Sequence, residues 1–282
     1  MKYTIGVPAY KEISITKCLQ SLLAEQLPSS EIIVVCPDDE TALLVKSFKG
    51  VKLIKEKSKQ GKPAAVNKIL KAAKGDVIIL TDADMFINNG SLRKLVSHFK
   101  DKSVGVVCGH PVVIPQKGML GYWGSVLYDL AHQSRLAGAN HLSTNLCAFR
   151  RGLVKSIPLE SLVDDYVIGL EASKKHSFIY EPRAIVNVRF PSTTRDFLKQ
   201  RVRTFAGYMQ VKDWYGSSER SFGSEARAAN SVLSYVKSPK NLFWVVCLAF
   251  YRLRAWLGAY WVYRVKKKSL KDVWVPALST KK

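Results

Sequence analysis

Apolar residues follow two different periods in the first part of the chain, and the two alternate. Short runs of β-branched and aliphatic residues predict strands; they are residues 3–7, 31–36, 51–56 and 76–81. The segments between them carry apolar residues at helical spacing; they are residues 14–27, 39–48 and 62–75. This β-α-β-α order predicts an α/β fold with a mostly parallel sheet and helices on both faces.

The alternation continues to about residue 212. Further strands are predicted at residues 104–109, 145–149 and 177–188, and further helices at about 90–99, 119–137, 163–175 and 194–212. Residues 216–231 are small, polar and rich in Gly and Ser, which is typical of a loop. We therefore expect one domain over residues 1–212, a linker over 213–240 and a C-terminal helical segment over 241–282.

The C-terminal segment contains 22 mostly apolar and aromatic residues, 242–263. Their number suits a transmembrane helix, but Arg252 and Arg254 lie near the middle, where each arginine costs roughly 2.5–3.5 kcal/mol on insertion scales. The two are about 200° apart on a helix and share no polar stripe. The pattern favours amphipathic, membrane-associated helices in the interface or packed on the domain. A single span is the next interpretation, and a buried core helix is the third.

The charge of the chain is unusual, with a formal net charge of +22. Residues 201–282 contain sixteen Lys and Arg against four Asp and Glu, which predicts an anionic partner: a membrane surface, nucleic acid or phosphorylated ligands. This excess of basic residues lies in the same part of the chain as Trp244, Trp256 and Trp261, and it includes the run Lys266, Lys267 and Lys268. Aromatic residues suit the headgroup level of a bilayer, and the sequence has no recognisable nucleic-acid-binding module. We expect an anionic membrane surface and no nucleic acid.

Two further features favour an intracellular setting. The five cysteines are scattered without a C-x-x-C pair, which favours reduced, buried thiols over disulfides or zinc sites. The first residues, MKYTIGVPAY, lack a long apolar stretch and indicate a strand and a turn rather than a signal peptide.

The strand predicted at residues 76–81 is followed by two acids, Asp82 and Asp84, with one residue between them. Residues two apart in extended chain point to the same side, and ligands of open α/β sheets lie at the carboxyl ends of strands. Two carboxylates aimed together there could hold a hard divalent cation. A solvated turn is the alternative, and the tripeptide alone leaves it open.

Five other stretches carry candidate binding or catalytic residues: VPAYKE and CPDDE after the first two strands, QGKPAAVNKIL and LVDDY at predicted helix starts, and FLKQRVRTF within a helix. The candidates are Pro8, Ala9, Tyr10, Glu12, Asp38, Gly61, Lys62, Asn67, Asp164, Asp165, Gln200, Arg201 and Arg203. A lysine beside backbone N–H groups at a helix start could meet phosphate. Taken singly, each stretch has a structural interpretation as a turn, a helix cap or a solvated basic face.

Together and in this order, the stretches resemble the inverting glycosyltransferases of family 2, which have the GT-A fold, over about residues 1–210. IGVPAYKE is similar to the opening motif whose loop holds the nucleotide, and VVCPDDE to the strand whose acid, here Asp38, reads base and ribose. GKPAAVNKIL resembles the Gly-Lys…Asn helix start, and TDAD resembles the metal and diphosphate motif. STNLCAF resembles the acceptor-side strand.

The remaining motifs imply catalytic roles. VDDY resembles the acidic pair that supplies the catalytic base and aligns on Asp165, with Asp164 in the companion position. QRVRT resembles the Gln-x-x-Arg-Trp motif of membrane polysaccharide synthases, at Gln200 and Arg203. Thr204 stands in the place of the tryptophan that usually meets a growing sugar chain, so the resemblance leaves both processive and single transfer open.

The resemblance implies a hexosyltransferase that uses Mn2+ or Mg2+. The donor would be a nucleotide-diphosphate-sugar, UDP-linked more than GDP-linked. The acceptor would be a hydroxyl of a glycan or a lipid-linked acceptor at the cytoplasmic face of a membrane. A polyprenyl-phosphate glycosyltransferase is an alternative, although an ionised phosphate acceptor needs no general base. A basic nucleic-acid-binding protein and a sugar nucleotidyltransferase are further alternatives, and the latter normally opens with a Gly-rich loop that VPAYKE lacks.

Overall fold

One mixed sheet forms the centre of the protein in the computed structural model, which describes residues 1–140, 142–216, 223 and 231–266. Its strands are β1 (Tyr3–Pro8), β2 (Ser30–Cys36), β3 (Val51–Lys55), β4 (Val77–Leu80), β5 (Phe86–Ile87), β6 (Val104–Val113), β7 (Cys147–Arg150) and β8 (Ser177–Val188). The described helices are α1 (Ile15–Ala24), α2 (Asp39–Lys46), α3 (Lys62–Ala72), α4 (Ser91–Ser97), α5 (Gly118–Leu136), α6 (Asp164–Ser173), α7 (Thr194–Tyr215) and α8 (Pro239–Tyr260). A 3-10 turn, His98–Lys100, follows α4, and a π-helical turn, Trp261–Val265, follows α8.

The strands lie in the order β3-β2-β1-β4-β7-β6-β8-β5. β1 pairs in parallel with β2 and β4, β2 with β3, and β6 with β8. β7 runs antiparallel between β4 and β6, and β5 runs antiparallel along β8. The sheet is therefore mixed and mostly parallel, as the sequence predicts.

Alternate residues of the inner strands belong to two hydrophobic cores, one on each face of the sheet. In β2, Ile32 and Val34 join the core that includes α1, α2 and α4, whereas Ile33 and Val35 join the core that includes α3 and α6. A strand with helices on both faces buries the side chains of every residue. This is why β2 is a continuous apolar run, and it confirms the prediction of helices on both faces.

β5 and the direction of β7 are absent from the sequence prediction. β5 is only two residues long and exists because it pairs with Val186 and Asn187 of β8. β7 pairs with β4 in the antiparallel direction, with Cys147 opposite Leu80. The residues of β5 and β7 do not by themselves indicate that β5 is a strand or that β7 is antiparallel, because both depend on long-range pairing.

The end of α3 also differs from the prediction. The pattern predicts a helix over residues 62–75 with Gly75 at its end, whereas α3 ends at Ala72 and Ala73 is already extended. Gly75 instead lies against β1, where a Cβ atom would be 2.4 Å from the backbone nitrogen of Thr4. Its N–H also donates a hydrogen bond of 2.9 Å to Thr4 Oγ1. The glycine is required by close approach of two backbone segments and not by a helix cap.

Candidate active site

Three neighbouring parallel strands, β2, β1 and β4, end together at one edge of the sheet. The loops that follow them therefore meet at the carboxyl ends of the strands, which is the usual ligand position in open α/β sheets. The N-terminus of α3 comes to the same edge, and Gly61 makes the turn into that helix with a φ of 96°. That left-handed backbone conformation favours glycine.

A cavity of about 180 Å3 lies at this edge, and we refer to it as the smaller cavity. It brings together the loop after β1, the start of α3 and the acids after β4. The predicted site residues that line it are Pro8, Ala9, Tyr10, Glu12, Gly61, Lys62, Asp82, Asp84, Asp164 and Arg203. Residues from five distant stretches of the sequence are thus adjacent in space.

Lys62 connects two of these stretches. Its Nζ atom lies 2.7 Å from Asp82 Oδ1 and 3.2 Å from Asp164 Oδ2, and it donates a hydrogen bond of 3.0 Å to Thr144 Oγ1. Burial lowers the pKa of Lys62, but the carboxylates of Asp164 and Asp82 raise it by more, so the pKa lies above its ordinary value. Lys62 is therefore a cation that links the loop after β4 to the start of α6.

Asp84 lies in surroundings that disfavour its negative charge. Burial, followed by the charges of Asp82 and Glu12, raises the pKa of Asp84 to about 7. A cation beside this carboxylate would favour its ionised form. Carboxylate oxygens are also the ligands that Mg2+ and Mn2+ prefer.

No group of three or more His, Cys, Asp or Glu side chains is arranged for a metal ion within the part of the chain that the structure describes. Enzymes that act on phosphate compounds commonly hold Mg2+ through one or two carboxylates together with the substrate's phosphates. Asp82 and Asp84 are two such carboxylates on the wall of one cavity. The donor set therefore fits a divalent cation that is shared with a phosphate ligand.

Asp164 and Asp165 lie in the first turn of α6, where the positive end of the helix dipole favours acidic side chains. Asp165 accepts a hydrogen bond of 2.9 Å from the backbone N–H of Tyr166. Burial and the neighbouring charge of Asp164 raise the pKa of Asp165 above its ordinary value. A carboxylate with a raised pKa is well suited to act as a general base near neutral pH.

A second cavity, which we refer to as the larger cavity, has a volume of about 650 Å3. The residues common to both cavities are Lys62, Asp82, Asp84, Asp164 and Arg203. Asp165, Gln200 and Arg201 line only the larger cavity, whose other walls include α5, α7 and α8. Charged groups therefore lie where the two cavities meet.

Two predicted residues, Asp38 and Asn67, line neither cavity. Asp38 caps α2 by accepting a hydrogen bond of 2.8 Å from the N–H of Thr41, and it accepts another of 2.9 Å from the N–H of Lys11. It therefore lies beside the loop after β1, as expected for neighbouring strands. Asn67 forms two hydrogen bonds, of 2.7 and 2.8 Å, with the backbone of Ile157. In this structure both side chains position loops, and their contact with substrate stays a prediction.

Several lining residues were not predicted from the sequence. Lys59 lies 4.5 Å from the ring centre of Tyr10 in the smaller cavity. Arg252 of α8 lines the larger cavity and lies 5.4 Å from the ring centre of Phe205. In the sequence, only its positive charge could have indicated Lys59 as a site residue. Arg252 is far from the other site residues in sequence and gives no local signal of its position.

The helix α8 has one face on the domain and one face exposed. Trp256 stacks on Phe205 of α7 with ring centres 4.3 Å apart, and Leu248 packs in a cluster with Trp123 of α5. The exposed face is mostly apolar, with Leu242, Phe243, Val246, Phe250, Leu253, Leu257 and Tyr260, and it also carries Arg254 near its middle. Because Trp256 faces inward, the headgroup position suggested for it by the sequence is wrong, whereas Trp261 is 53% exposed.

By length and composition, the segment Pro239–Val265 is the one helical stretch of the described chain that is long and apolar enough to cross a membrane, and an 18-residue window within it has a mean hydropathy of 1.4. Lys266 follows it directly and is exposed. Lys267 and Lys268 of the predicted basic run lie outside the described residues.

Residues 4–157 match the sequence profile of glycosyl transferase family 2. The chain belongs to this family. The match covers more than half of the chain and confirms the family indicated by its motifs.

Two curated relatives of this family 2 glycosyltransferase are similar to it over part of their length. Poly-beta-1,6-N-acetyl-D-glucosamine synthase of Staphylococcus epidermidis is 27% identical over 212 residues, which cover 68% of this chain and 51% of the synthase. Poly(ribitol-phosphate) beta-glucosyltransferase of Bacillus spizizenii is 28% identical over 119 residues, which cover 39% of this chain and 19% of that enzyme. The chain therefore spans about half the length of the synthase.

Solved structures show the same fold. Mannosyltransferase PcManGT from Pyrobaculum calidifontis, in complex with GDP-Man and Mn2+, has a TM-score of 0.68 at 19% identity, covering 95% of this chain and 88% of that one. S. aureus TarS 1-349 in complex with UDP-GlcNAc has a TM-score of 0.55 at 15% identity, covering 94% and 92%. At such identities the likeness shows the fold alone, and it confirms the predicted GT-A fold.

Proposed function

We propose that this family 2 glycosyltransferase moves a sugar, with inversion, from a nucleotide-diphosphate-sugar to a hydroxyl of a glycan or lipid-linked acceptor. The observation that carries the proposal is the junction of the two cavities, where Lys62, Asp82, Asp84 and Asp164 line both. A transfer between two substrates requires both to be held with their reacting atoms together, and two adjoining cavities can do this. We assign the donor to the smaller cavity and the acceptor to the larger one.

The proposed reaction is a single displacement at the anomeric carbon. The acceptor oxygen bonds to this carbon while the bond from the carbon to the diphosphate oxygen breaks, and attack from the opposite face inverts the centre. Asp165 takes the proton of the acceptor hydroxyl, a role that its raised pKa supports. Asp164, ion-paired with Lys62, holds the start of α6 beside the donor.

The departing diphosphate needs positive charge. Lys62 and Arg203 line both cavities and are the side chains that we assign to its oxygens. A divalent cation, Mn2+ or Mg2+, held by Asp84 with Asp82 beside it, would supply further charge neutralisation when bound. The raised pKa of Asp84 supports this assignment, because an adjacent cation would relieve the repulsion from Asp82 and Glu12.

The nucleotide is assigned to the wall formed by Pro8, Ala9, Tyr10 and Lys59, with Asp38 beside it. A UDP-sugar is preferred in this proposal, since TarS has been solved with UDP-GlcNAc and with UDP. A GDP-sugar is the second choice, since PcManGT has been solved with GDP-Man and Mn2+.

A panel of UDP- and GDP-sugars tests this proposal. We expect one nucleotide series to stabilise the protein against heat and to release its nucleotide only when Mn2+ or Mg2+ is present. Full release in excess chelator would contradict the metal assignment. If no nucleotide-sugar in either series bound or reacted, the donor assignment would be wrong.

We further propose that α8 attaches the enzyme to the cytoplasmic face of a membrane, where nucleotide-sugars are supplied. Its exposed apolar residues recur three or four positions apart along most of the helix. Lys237 and Lys240 lie before this stripe, and Arg264 and Lys266 follow it. Each basic residue near an anionic surface contributes about 1 kcal/mol. The packing of the inner face on α5 and α7 supports an interfacial helix over a single span.

Flotation with vesicles of phosphatidylcholine and phosphatidylglycerol tests the attachment. We expect the full chain to float with the vesicles and Leu253→Glu to lose most of its binding. Leu43→Glu is the matched control, because Leu43 is 72% exposed on α2, away from the stripe. Equal binding by the two variants would contradict the proposal, and resistance of the parent to carbonate extraction would favour a span.

The division into a catalytic domain over residues 1–212, a linker over 213–240 and a membrane-associating segment over 241–282 is part of this proposal. It is supported by the change from a sheet with helices on both faces to a helix with an exposed apolar face.

A further inference from the structure

We propose that Gly207 and Gln210 of α7 are positioning residues for the assigned base Asp165, an inference that rests on the proposed function. Gln210 is buried, and its side-chain amide binds the backbone of the segment that leads into α6. Its Oε1 atom accepts a hydrogen bond of 2.9 Å from the N–H of Leu162, and its Nε2 atom donates another of 2.9 Å to the carbonyl oxygen of Glu160. Both ends of the amide are therefore used on one short stretch of chain directly before α6.

Gly207 lies about one turn before Gln210 and brings α7 close to the same segment. A Cβ atom on Gly207 would be 2.5 Å from Cγ1 and 2.8 Å from Cγ2 of Val163. Carbon atoms at such distances overlap, so a residue without a Cβ is needed for this close approach. Because Val163 is the residue before α6, α7 contacts the segment up to the first residue of that helix.

The first turn of α6 depends on contacts of this kind. Val163 occupies the N-cap position, and its apolar side chain has no oxygen that could cap the helix. The ion pair of Asp164 with Lys62 is one contact from outside the helix, and the contacts with α7 are the others described above. A shift of residues 160–163 would move Asp165 as well. A displacement of about 1 Å at the reacting groups can cost about 100-fold in rate.

The same face of α7 also carries residues that line the larger cavity. Gln200, Arg203, Gly207 and Gln210 follow one another at intervals of three, four and three residues. This spacing places them within roughly 80° of one helix face. Gln200 and Arg203 line the larger cavity, as Asp165 does. One face of α7 therefore presents side chains to the cavity and fixes the start of the helix that carries the assigned base.

The other end of the segment is held by α3. The side-chain amide of Asn67 forms hydrogen bonds of 2.7 and 2.8 Å with the backbone N–H and carbonyl oxygen of Ile157. α3 begins at Lys62, and α7 contains Arg203. The segment before α6 is therefore held between the two helices whose basic side chains we assign to the diphosphate. This arrangement keeps the base in a constant position relative to the donor.

Hydrolysis of the donor, with water in place of the acceptor hydroxyl, tests the proposal. The donors are UDP-GlcNAc, UDP-glucose and GDP-mannose with Mn2+, and the one that the full-length parent hydrolyses fastest is used for every variant. Gln210→Met keeps the length of the side chain without its hydrogen bonds, and Gly207→Ala adds a methyl group that overlaps Val163. We expect each to lower kcat at least tenfold. The Kd of UDP or GDP, measured by calorimetry, should change less than twofold, because the base acts in the transition state.

Two controls separate positioning from a general loss of structure. Gln20→Met makes the same substitution at an exposed residue of α1 and should change neither kcat nor Kd. Val163→Ala removes the two methyl groups that Gly207→Ala would strike, so the double variant should recover most of the kcat that Gly207→Ala loses. Alanine forms helices better than glycine, so a loss in Gly207→Ala would not come from a weaker α7.

Values of kcat equal to that of Gln20→Met would overturn the proposal. Equal losses of kcat and nucleotide affinity would also overturn it, because they would indicate a general structural role. If Gln210→Met failed to fold, Gly207→Ala and its double variant would decide. If the parent bound a nucleotide but hydrolysed no donor, hydrogen exchange of residues 163–167 would decide, with faster exchange expected in both variants and unchanged exchange contradicting the proposal. A parent that bound neither UDP nor GDP would overturn the proposed function instead.

Discussion

The smaller and larger cavities are built from different kinds of structure. The smaller cavity lies mainly among loops at the ends of β1, β2 and β4 and at the start of α3. Much of the larger cavity is walled by side chains on α5, α7 and α8. The position of a strand end follows from sheet register, whereas the position of a helix side chain follows from how whole helices pack. The position of the smaller cavity, the proposed donor side, is therefore fixed more directly by local sequence than that of the larger cavity.

The end of the family match also separates most residues of the smaller cavity from many residues of the larger cavity. The match ends at residue 157, after the strands that bear the donor-side loops and before α6, α7 and α8. Asp165, Arg201 and Arg252 all lie beyond it. The part of the chain that matches the family therefore contains most of the donor side, while much of the proposed acceptor side is contributed by later residues. Substitutions on the two sides should accordingly affect different steps.

The largest effect is expected for Asp84→Ala on the donor side. Loss of a proposed metal ligand should reduce transfer by on the order of 1000-fold, comparable to removing a group that stabilises developing charge. Asp39→Ala is the control, because Asp39 is an exposed acid that pairs with Lys55. The measurements are the transfer rate, Mn2+ affinity in the presence of nucleotide, and thermal stability. Undiminished Mn2+ affinity in Asp84→Ala would show that the ligand lies elsewhere.

Asp165→Asn should separate the two sides. Loss of a general base should lower kcat by roughly 100- to 10,000-fold and leave donor affinity nearly unchanged, because the base acts in the transition state. Asp165 accepts a proton only when ionised, so the rate of the parent should fall as the pH decreases through its raised pKa. The pH profile of kcat/KM measures this acidic limb. If Asp164→Asn were inactive and Asp165→Asn active, the assigned base would be wrong by one residue.

Two tryptophans, Trp256 on α8 and Trp261 in the π-helical turn after it, test the inner face and the exposed end of this segment separately. Trp256→Ala removes a buried ring that stacks on Phe205 and should lower the free energy of unfolding by about 3–5 kcal/mol. Trp261→Ala should leave stability unchanged and weaken vesicle binding, because Trp261 is exposed at the end of α8. Denaturant titration and vesicle flotation measure the two effects. Similar stability losses in both variants would contradict the two-faced description of α8.

The smallest effect is expected at Asp38, which lies beside the loop after β1. Asp38→Ala removes the cap of α2 and should lower stability by about 1 kcal/mol. Asp38→Ser keeps a capping oxygen and should recover most of that loss. If Asp38 also contacts the nucleotide, the KM for the donor should remain raised in Asp38→Ser. A KM that recovers together with stability would assign Asp38 to the loop alone.

The sequence predicted well which residues meet at the smaller cavity, because their signals are local. Asp82 and Asp84 directly follow a buried strand, and Gly61 and Lys62 directly precede a helix. Each residue needed only the position of its own element to be placed at the sheet edge. Asn67 carried the same local signal, yet it binds the backbone of Ile157, a contact that depends on a distant loop. A motif indicates which helix, strand or loop carries a side chain, whereas tertiary packing decides which residues that side chain contacts.

By itself, the sequence determined most of the strands and helices, the family, and the acids that follow the strands. These properties depend on the periods of 2.0 and 3.6 residues and on residues adjacent in the chain. Only the tertiary structure decided the direction of β7, the pairing of Lys62 with Asp82 and Asp164, and the inward face of Trp256. It also brought Arg135, Arg189, Arg201 and Arg252, which are far apart in the sequence, to the lining of one cavity. These are contacts between residues far apart in the sequence, and no local period contains them.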